Sequence, residues 1–114
     1  MATMFFGFAL ADSMFSGDVT ISRKALSPQE AKDLLDQGFV SGCNPSHAAT
    51  VAAAKARFGV DAACPEKPER VALNVGDSLV VMGVRGLGRL TDRHEYTEAE
   101  IASATFSFSV YTIL

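Results

Sequence analysis

Two stretches of this chain carry side chains that can do acid-base or phosphate chemistry. In Asn44-Pro45-Ser46-His47 an imidazole stands where a helix is about to begin. Free N–H groups at a helix start, with the positive end of the helix dipole, attract a phosphate. The same dipole disfavours imidazolium in the empty protein, and a bound phosphate favours the charged ring when an acid is needed. Capping the helix is the plainer role for His47, and residue type alone leaves both open. The second stretch, Arg85-Gly86-Leu87-Gly88-Arg89-Leu90-Thr91-Asp92-Arg93-His94, gathers three arginines, one carboxylate and one imidazole around glycine.

Gly86 and Gly88 permit close backbone approach, and guanidinium forks match phosphate geometry with directional, charge-assisted hydrogen bonds. The stretch is not a phosphate-binding loop of the Walker type, and a solvated loop whose arginines pair with Asp92 and Glu95 has the same composition. Arg70 opens a predicted strand, where it can face solvent or a ligand. Asp77, beside Gly76, has the residue type of a structural turn.

Elements must position these groups. Residues 4–10 and 18–26 read as strands; in the second, Val19, Ile21 and Arg23 alternate with Thr20, Ser22 and Lys24, as in a half-buried strand. Ser27-Pro28-Gln29-Glu30 combines an N-cap serine, a proline in the first helical turn and a capping-box glutamate, so a helix starts there and Gly38 stops it. A brief extended segment, Phe39 to Cys43, leads to a second helix with Asn44 or Ser46 as its N-cap. His47, Val51, Ala54 and Phe58 share one face of that helix, and Gly59 ends it.

The prolines of Pro65-Glu66-Lys67-Pro68 mark a surface connection. Arg70 to Val75 and Ser78 to Val84 read as an antiparallel pair around Gly76-Asp77. Thr97-Glu98-Ala99-Glu100 is a second capping box. Thr105 to Leu114 reads as a final strand with Phe106, Phe108 and Val110 on one face. Strands and helices in this irregular order predict an α/β fold, a single-domain mixed β-sheet flanked by helices spanning 1–114.

At 114 residues and 48% apolar content the chain suits one domain with one core. Ten basic against 13 acidic residues give a net charge of −3, which argues against coating long nucleic acid, so any anion is held locally. The apolar runs are far shorter than a membrane span needs. The N-terminus lacks a basic region and reads as a buried strand rather than a signal peptide, which predicts a cytosolic location. Cys43 and Cys64, the only two cysteines, have no zinc-ligand spacing and read as reduced, part-buried thiols.

Taken together, these residues resemble the small viral ring nucleases known as type III anti-CRISPR proteins of archaeal viruses, with relatives in bacterial phages. The resemblance runs through Phe5-Phe6-Gly7-Phe8-Ala9-Leu10, Leu26-Ser27-Pro28-Gln29-Glu30-Ala31, Gly38-Phe39-Val40-Ser41, His47-Ala48-Ala49-Thr50, Gly76-Asp77 and Arg89-Leu90-Thr91-Asp92. The family pattern is a glycine-histidine-x-x-threonine helix start, a lone arginine before a glycine-aspartate turn, and an arginine-leucine-proline-glutamate loop. His47 falls on the catalytic histidine, Arg70 on the lone arginine, Arg89 on the loop arginine and Asp92 on the loop glutamate. The chain departs from the pattern where Asn44-Pro45-Ser46 replaces the glycine before histidine, where Thr91 replaces proline, and where Asp92 is one methylene shorter than glutamate.

The resemblance implies a homodimer whose two-fold cleft encloses cyclic tetra-adenylate and cleaves it without a metal or other cofactor. It also implies a place in the cytoplasm of an infected host cell, with neither membrane nor long nucleic acid as partner. In that reaction a ribose 2′-OH attacks its own 3′-phosphate and expels the 5′-oxygen. His47 is then the general acid, Arg89 stabilises the phosphorane, Arg70 holds a phosphate, and Asp92 orients Arg89 or assists the 2′-OH. Asn44, Ser46, Arg85, Gly88 and Arg93 are candidate ligand contacts from position and charge. Two other functions fit the same residues: a sponge that sequesters a cyclic nucleotide signal intact, and a structural or regulatory phage protein that keeps the fold without the ligand.

Overall fold

A computed structural model describes residues 3–67, 71–86 and 96–114, Ser46 without its side chain. Five strands, β1 (Met4–Gly7), β2 (Ile21–Leu26), β3 (Val40–Ser41), β4 (Ser78–Arg85) and β5 (Thr105–Ile113), form one mixed sheet in the order β2-β5-β4-β1-β3. β1 lies between β3 and β4 and is parallel to both; β5 is antiparallel to β4 and β2. Among the described residues three α-helices accompany the sheet, α1 (Pro28–Leu35), α2 (Ala48–Phe58) and α3 (Glu98–Ser103). The chain is therefore a single α/β domain built on a mixed sheet.

Local signals fix the helices. Ser27 Oγ accepts from Glu30 N–H while the Glu30 carboxylate accepts from Ser27 N–H, and Thr97 and Glu100 repeat the exchange at α3. Each pair satisfies two backbone donors that a helix start leaves open. α2 ends at Gly59, whose φ of 76° closes the helix in the left-handed region.

The sheet is covered differently on its two faces. Ala31 and Leu35 of α1 and Val51, Ala54 and Phe58 of α2 pack on Phe6, Val80, Met82 and Phe108, with Phe106 and Val110 alongside, as the pattern of the last strand predicts. On the other face Phe5, Leu79 and Ile113 are covered by chain outside the strands and α-helices: Leu10, Met14 and Phe15 from one segment, Val71 and Leu73 from another.

Three expectations fail for non-local reasons. The first strand stops at Gly7, not at residue 10, because its ladders to β3 and β4 end at Ser41 and Val81; the chain then leaves the sheet through a 3-10 turn over Asp12–Met14 to cover the second face. β2 starts at Ile21 and is exposed along its length except at Leu26, since it is an edge strand beyond the reach of most helix side chains. No hairpin joins residues 71–75 to β4. Both edges of β4 are taken by β1 and β5, and the nearly buried Asp77 carboxylate instead accepts from Asn74 N–H at 2.9 Å and Thr3 N–H at 2.8 Å, tying the turn to the start of β1.

Candidate functional site

Parallel pairing gives β1, β3 and β4 one common carboxyl edge. In open α/β sheets ligands gather at that edge, because the connecting segments leave the strands there. Three segments emerge from it here: the chain after Gly7, the chain from Gly42 to His47, and the chain after Arg85.

The second of these sets His47. Ser41 Oγ donates to Ala63 O at 2.6 Å and accepts from Cys43 N–H at 3.2 Å, while Gly42 N–H donates to Phe6 O at 2.8 Å. These bonds fasten the end of β3 to β1 and to the chain that follows α2. A single 3-10 turn over Pro45–His47 then leads into α2. Neither Asn44 nor Ser46 is the N-cap; His47 itself occupies that position, without a side-chain capping bond. The Asn44 N–H donates to His47 Nδ1 at 3.1 Å, and the His47 N–H returns a bond to Asn44 O at 2.9 Å.

An acceptor at Nδ1 puts the ring proton of a neutral imidazole on Nε2. Phe8, just beyond β1, packs on the imidazole with ring centroids 4.6 Å apart at a 43° tilt. The ring is thus held on one side by a backbone donor and on one face by a phenyl group, and it is half-buried. This arrangement presents one N–H from a fixed position, as phosphate capture requires; proton delivery would require Nδ1 to exchange the Asn44 bond for a proton.

Arg85 is the last residue of β4 and is exposed. It lies on the same edge as His47, but strand alternation from Leu79 and Val81 sets it on the sheet face opposite the helices. These two candidates therefore share an edge and not a face. The side chain of Ser46 and all of Arg70, Gly88, Arg89, Asp92, Arg93 and His94 lie outside the described residues. Their chain neighbours are described. A Cβ on Gly42 would meet Val71 Cγ2 at 2.8 Å, so the residue after Arg70 packs against the segment that leads to His47. Gly86 and Tyr96 flank 87–95, the stretch that holds Arg89 and Asp92.

Two contributors escape a reading of the sequence. Phe8 looks like one more strand residue, and Gly42 looks like an ordinary loop glycine. Nothing in their own neighbourhoods signals the partners that they meet across the sheet.

The two cysteines are free thiols, Cys43 buried and Cys64 half-buried. Burial pushes the Cys43 thiol up, partly offset by a hydrogen bond with Ser41; burial and then the Asp61 charge push Cys64 up. Both are held in the unreactive thiol form. Among the described residues, no group of three or more His, Cys, Asp or Glu is arranged to hold a metal ion, and no helix is long and apolar enough to cross a membrane.

No protein-family model and no curated protein matches the chain. Among solved structures it is similar to B116 of Sulfolobus turreted icosahedral virus, with a TM-score of 0.72 and 17% sequence identity over 97% of this chain and 99% of that chain. At that identity the likeness is one of fold: this chain has the architecture of a viral protein along nearly its whole length.

Proposed function

We propose that this chain is a viral or phage anti-defence protein that binds and cleaves a cyclic oligonucleotide second messenger, cyclic tetra-adenylate or a related ring. The observation that carries the reading is the His47 imidazole. It stands at the start of α2 on the carboxyl edge of the parallel strands, with Nδ1 engaged by the Asn44 N–H. The fold shared with a protein of a virus supports the viral setting.

The reaction is an in-line displacement within one nucleotide. The ribose O2′ forms a bond to phosphorus, the P–O5′ bond breaks, and the products are a linear strand with a 2′,3′-cyclic phosphate and a 5′-hydroxyl. His47, once Nδ1 has exchanged the Asn44 bond for a proton and the ring is imidazolium, gives the Nε2 proton to O5′ as it leaves; Arg89 neutralises the phosphorane and Arg70 holds a phosphate. Asp92 takes the proton of the 2′-OH, or orients Arg89 while water takes that proton. Arg85, Arg93, Ser46 and the backbone at Gly88 supply further contacts to the ring. In the structure the Asn44 N–H is committed to His47 Nδ1. Holding the 2′-OH in line contributes several kcal/mol on its own. Two copies of the chain around a two-fold axis present the same donors twice to a ligand that repeats itself.

One feature favours a second reading, capture without cleavage. With Nδ1 accepting a backbone bond, the neutral imidazole offers Nε2–H as a hydrogen-bond donor that keeps its proton. A panel of cyclic dinucleotides and cyclic oligoadenylates, incubated with the protein in EDTA and resolved by chromatography, separates the possibilities. A linear product with a 2′,3′-cyclic phosphate end supports the nuclease. Retention of intact ring supports the sponge, and neither result rejects both.

A further inference from the structure

We infer that Arg57 is a positioning residue that sets the distance between His47 and the roots of segment 87–95, an inference that rests on the nuclease reading above. α2 crosses the sheet. At its start His47 touches Phe8 beyond β1, and at its end Phe58 packs edge-on against Phe106 and Phe108 of β5, at 5.3 and 5.4 Å between centroids. Between His47 and Phe58 lie eleven steps, about 16 Å at 1.5 Å per residue.

Arg57 fastens the far end. Its Nη1 donates to Ala104 O at 2.6 Å and to Ile101 O at 3.2 Å, and its guanidinium lies 5.3 Å from the centroid of Phe106 and 5.4 Å from that of Phe58. Those carbonyls belong to the last turn of α3 and to its C-cap Ala104, which directly precedes β5, so one side chain joins α2, α3 and the sheet. Charge-assisted bonds to terminal helix carbonyls, together with stacking on two rings, form a fork that lysine reproduces only in part.

Both roots of segment 87–95 converge on the same junction. Arg85 pairs with Thr105, and a Cβ on Gly86 would lie 3.4 Å from Ala104 Cα, so the entry rests on the carbonyl group's own residue. The exit runs through Tyr96 and the Thr97 cap into α3, which has no buried residue of its own. Hydrophobic burial does little to hold α3, and the Arg57 bonds supply what packing does not. α2 thus works as a spacer with the proposed acid at one end and, at the other, the anchor of the segment that carries Arg89 and Asp92.

Arg57→Met keeps the stem over the rings and removes the donors; Arg57→Lys keeps the charge and one directed bond. With cyclic tetra-adenylate as probe, Arg57→Met is expected to lower kcat by about tenfold or more with KM within about twofold, since small misplacements of catalytic groups act on turnover. Arg57→Lys is expected to recover part of the loss. Amide hydrogen exchange on the same variants, read without any ligand, should quicken at 86 and 96–104 while the first turn of α2 stays protected.

Unchanged exchange at 96–104, or faster exchange with kcat and KM both as in wild type, overturns the inference, as does a loss shared equally between kcat and KM. If Arg57→Met does not fold, the kcat loss and exchange of Arg57→Lys decide in the same way. If the wild-type chain leaves the ring intact, the nuclease reading fails. The exchange arm then decides the placement role alone: quickening confined to 86 and 96–104 upholds the anchor, and its absence removes it.

Discussion

At the scale of single residues, His47 is held by its surroundings rather than by its own chain direction, and that restraint predicts how a variant behaves. His47→Ala should slow ring opening by about a hundredfold or more, the range for losing a general acid, while ligand affinity changes by less than about threefold. Single-turnover kinetics beside equilibrium binding checks the split, and equal losses in both assign His47 to capture. Cys43 makes a different prediction. Burial holds its thiol above the ordinary 9.0, so the folded state keeps a proton that the unfolded chain gives up. That contribution to stability is complete below about pH 9 and is lost as pH rises toward the folded value. Denaturant midpoints measured from pH 7 to 10.5 should fall on the alkaline side, and less steeply in Cys43→Ala.

At the scale of elements, the parts that the sequence announces are those whose signals are local. Both capping boxes are present bond for bond, because an N-cap hydroxyl and a carboxylate three residues on need nothing from the rest of the chain. Ser27→Ala should therefore cost about 1 kcal/mol in a denaturant titration. The Glu30 carboxyl is drawn below its usual range, first by the Ser27 N–H and then by the Ser27 hydroxyl. Its share of helix stability is present above about pH 4.5 and fades as pH falls further, and Glu30→Gln should flatten that acid limb. Less legible were the features that other elements decide. Alternation along residues 18–26 has the right period, yet only the strand order reveals that β2 is an edge with an exposed face. The glycine-aspartate pair at 76 and 77 does mark a turn, but β4 already has two neighbours, so no hairpin can form. His47 was legible by type and by its place before a helix; its restraint by Phe8 and the Asn44 N–H depends on a 3-10 turn that proline and serine do not specify.

At the scale of the whole molecule, long-range contacts decide whether the carboxyl edge becomes a site. Gly42 is a test of them, since a methyl group there would press on Val71 at 2.8 Å and on the Phe6 carbonyl at 3.3 Å. Gly42→Ala should lower stability by about 1–3 kcal/mol through overpacking and displace the chain next to Arg70. Thermal unfolding together with methyl spectra of Val71 would register both effects. Asp77→Ala should cost a similar amount, about 1–3 kcal/mol, by leaving the Thr3 and Asn74 N–H groups without their acceptor. Sedimentation with the ring present should show one ligand for every two chains if the proposed two-fold cleft forms.

The most direct measurement is a crystal structure of the protein with cyclic tetra-adenylate lacking its 2′-hydroxyls, a ring that can bind but has no nucleophile. The proposed function predicts His47 Nε2 within hydrogen-bond distance of a bridging 5′-oxygen, with Arg89 and Arg70 on the phosphate groups of the same nucleotide step. A ring bound elsewhere, or bound at this edge with His47 and the arginines turned toward different phosphates or toward solvent, contradicts it.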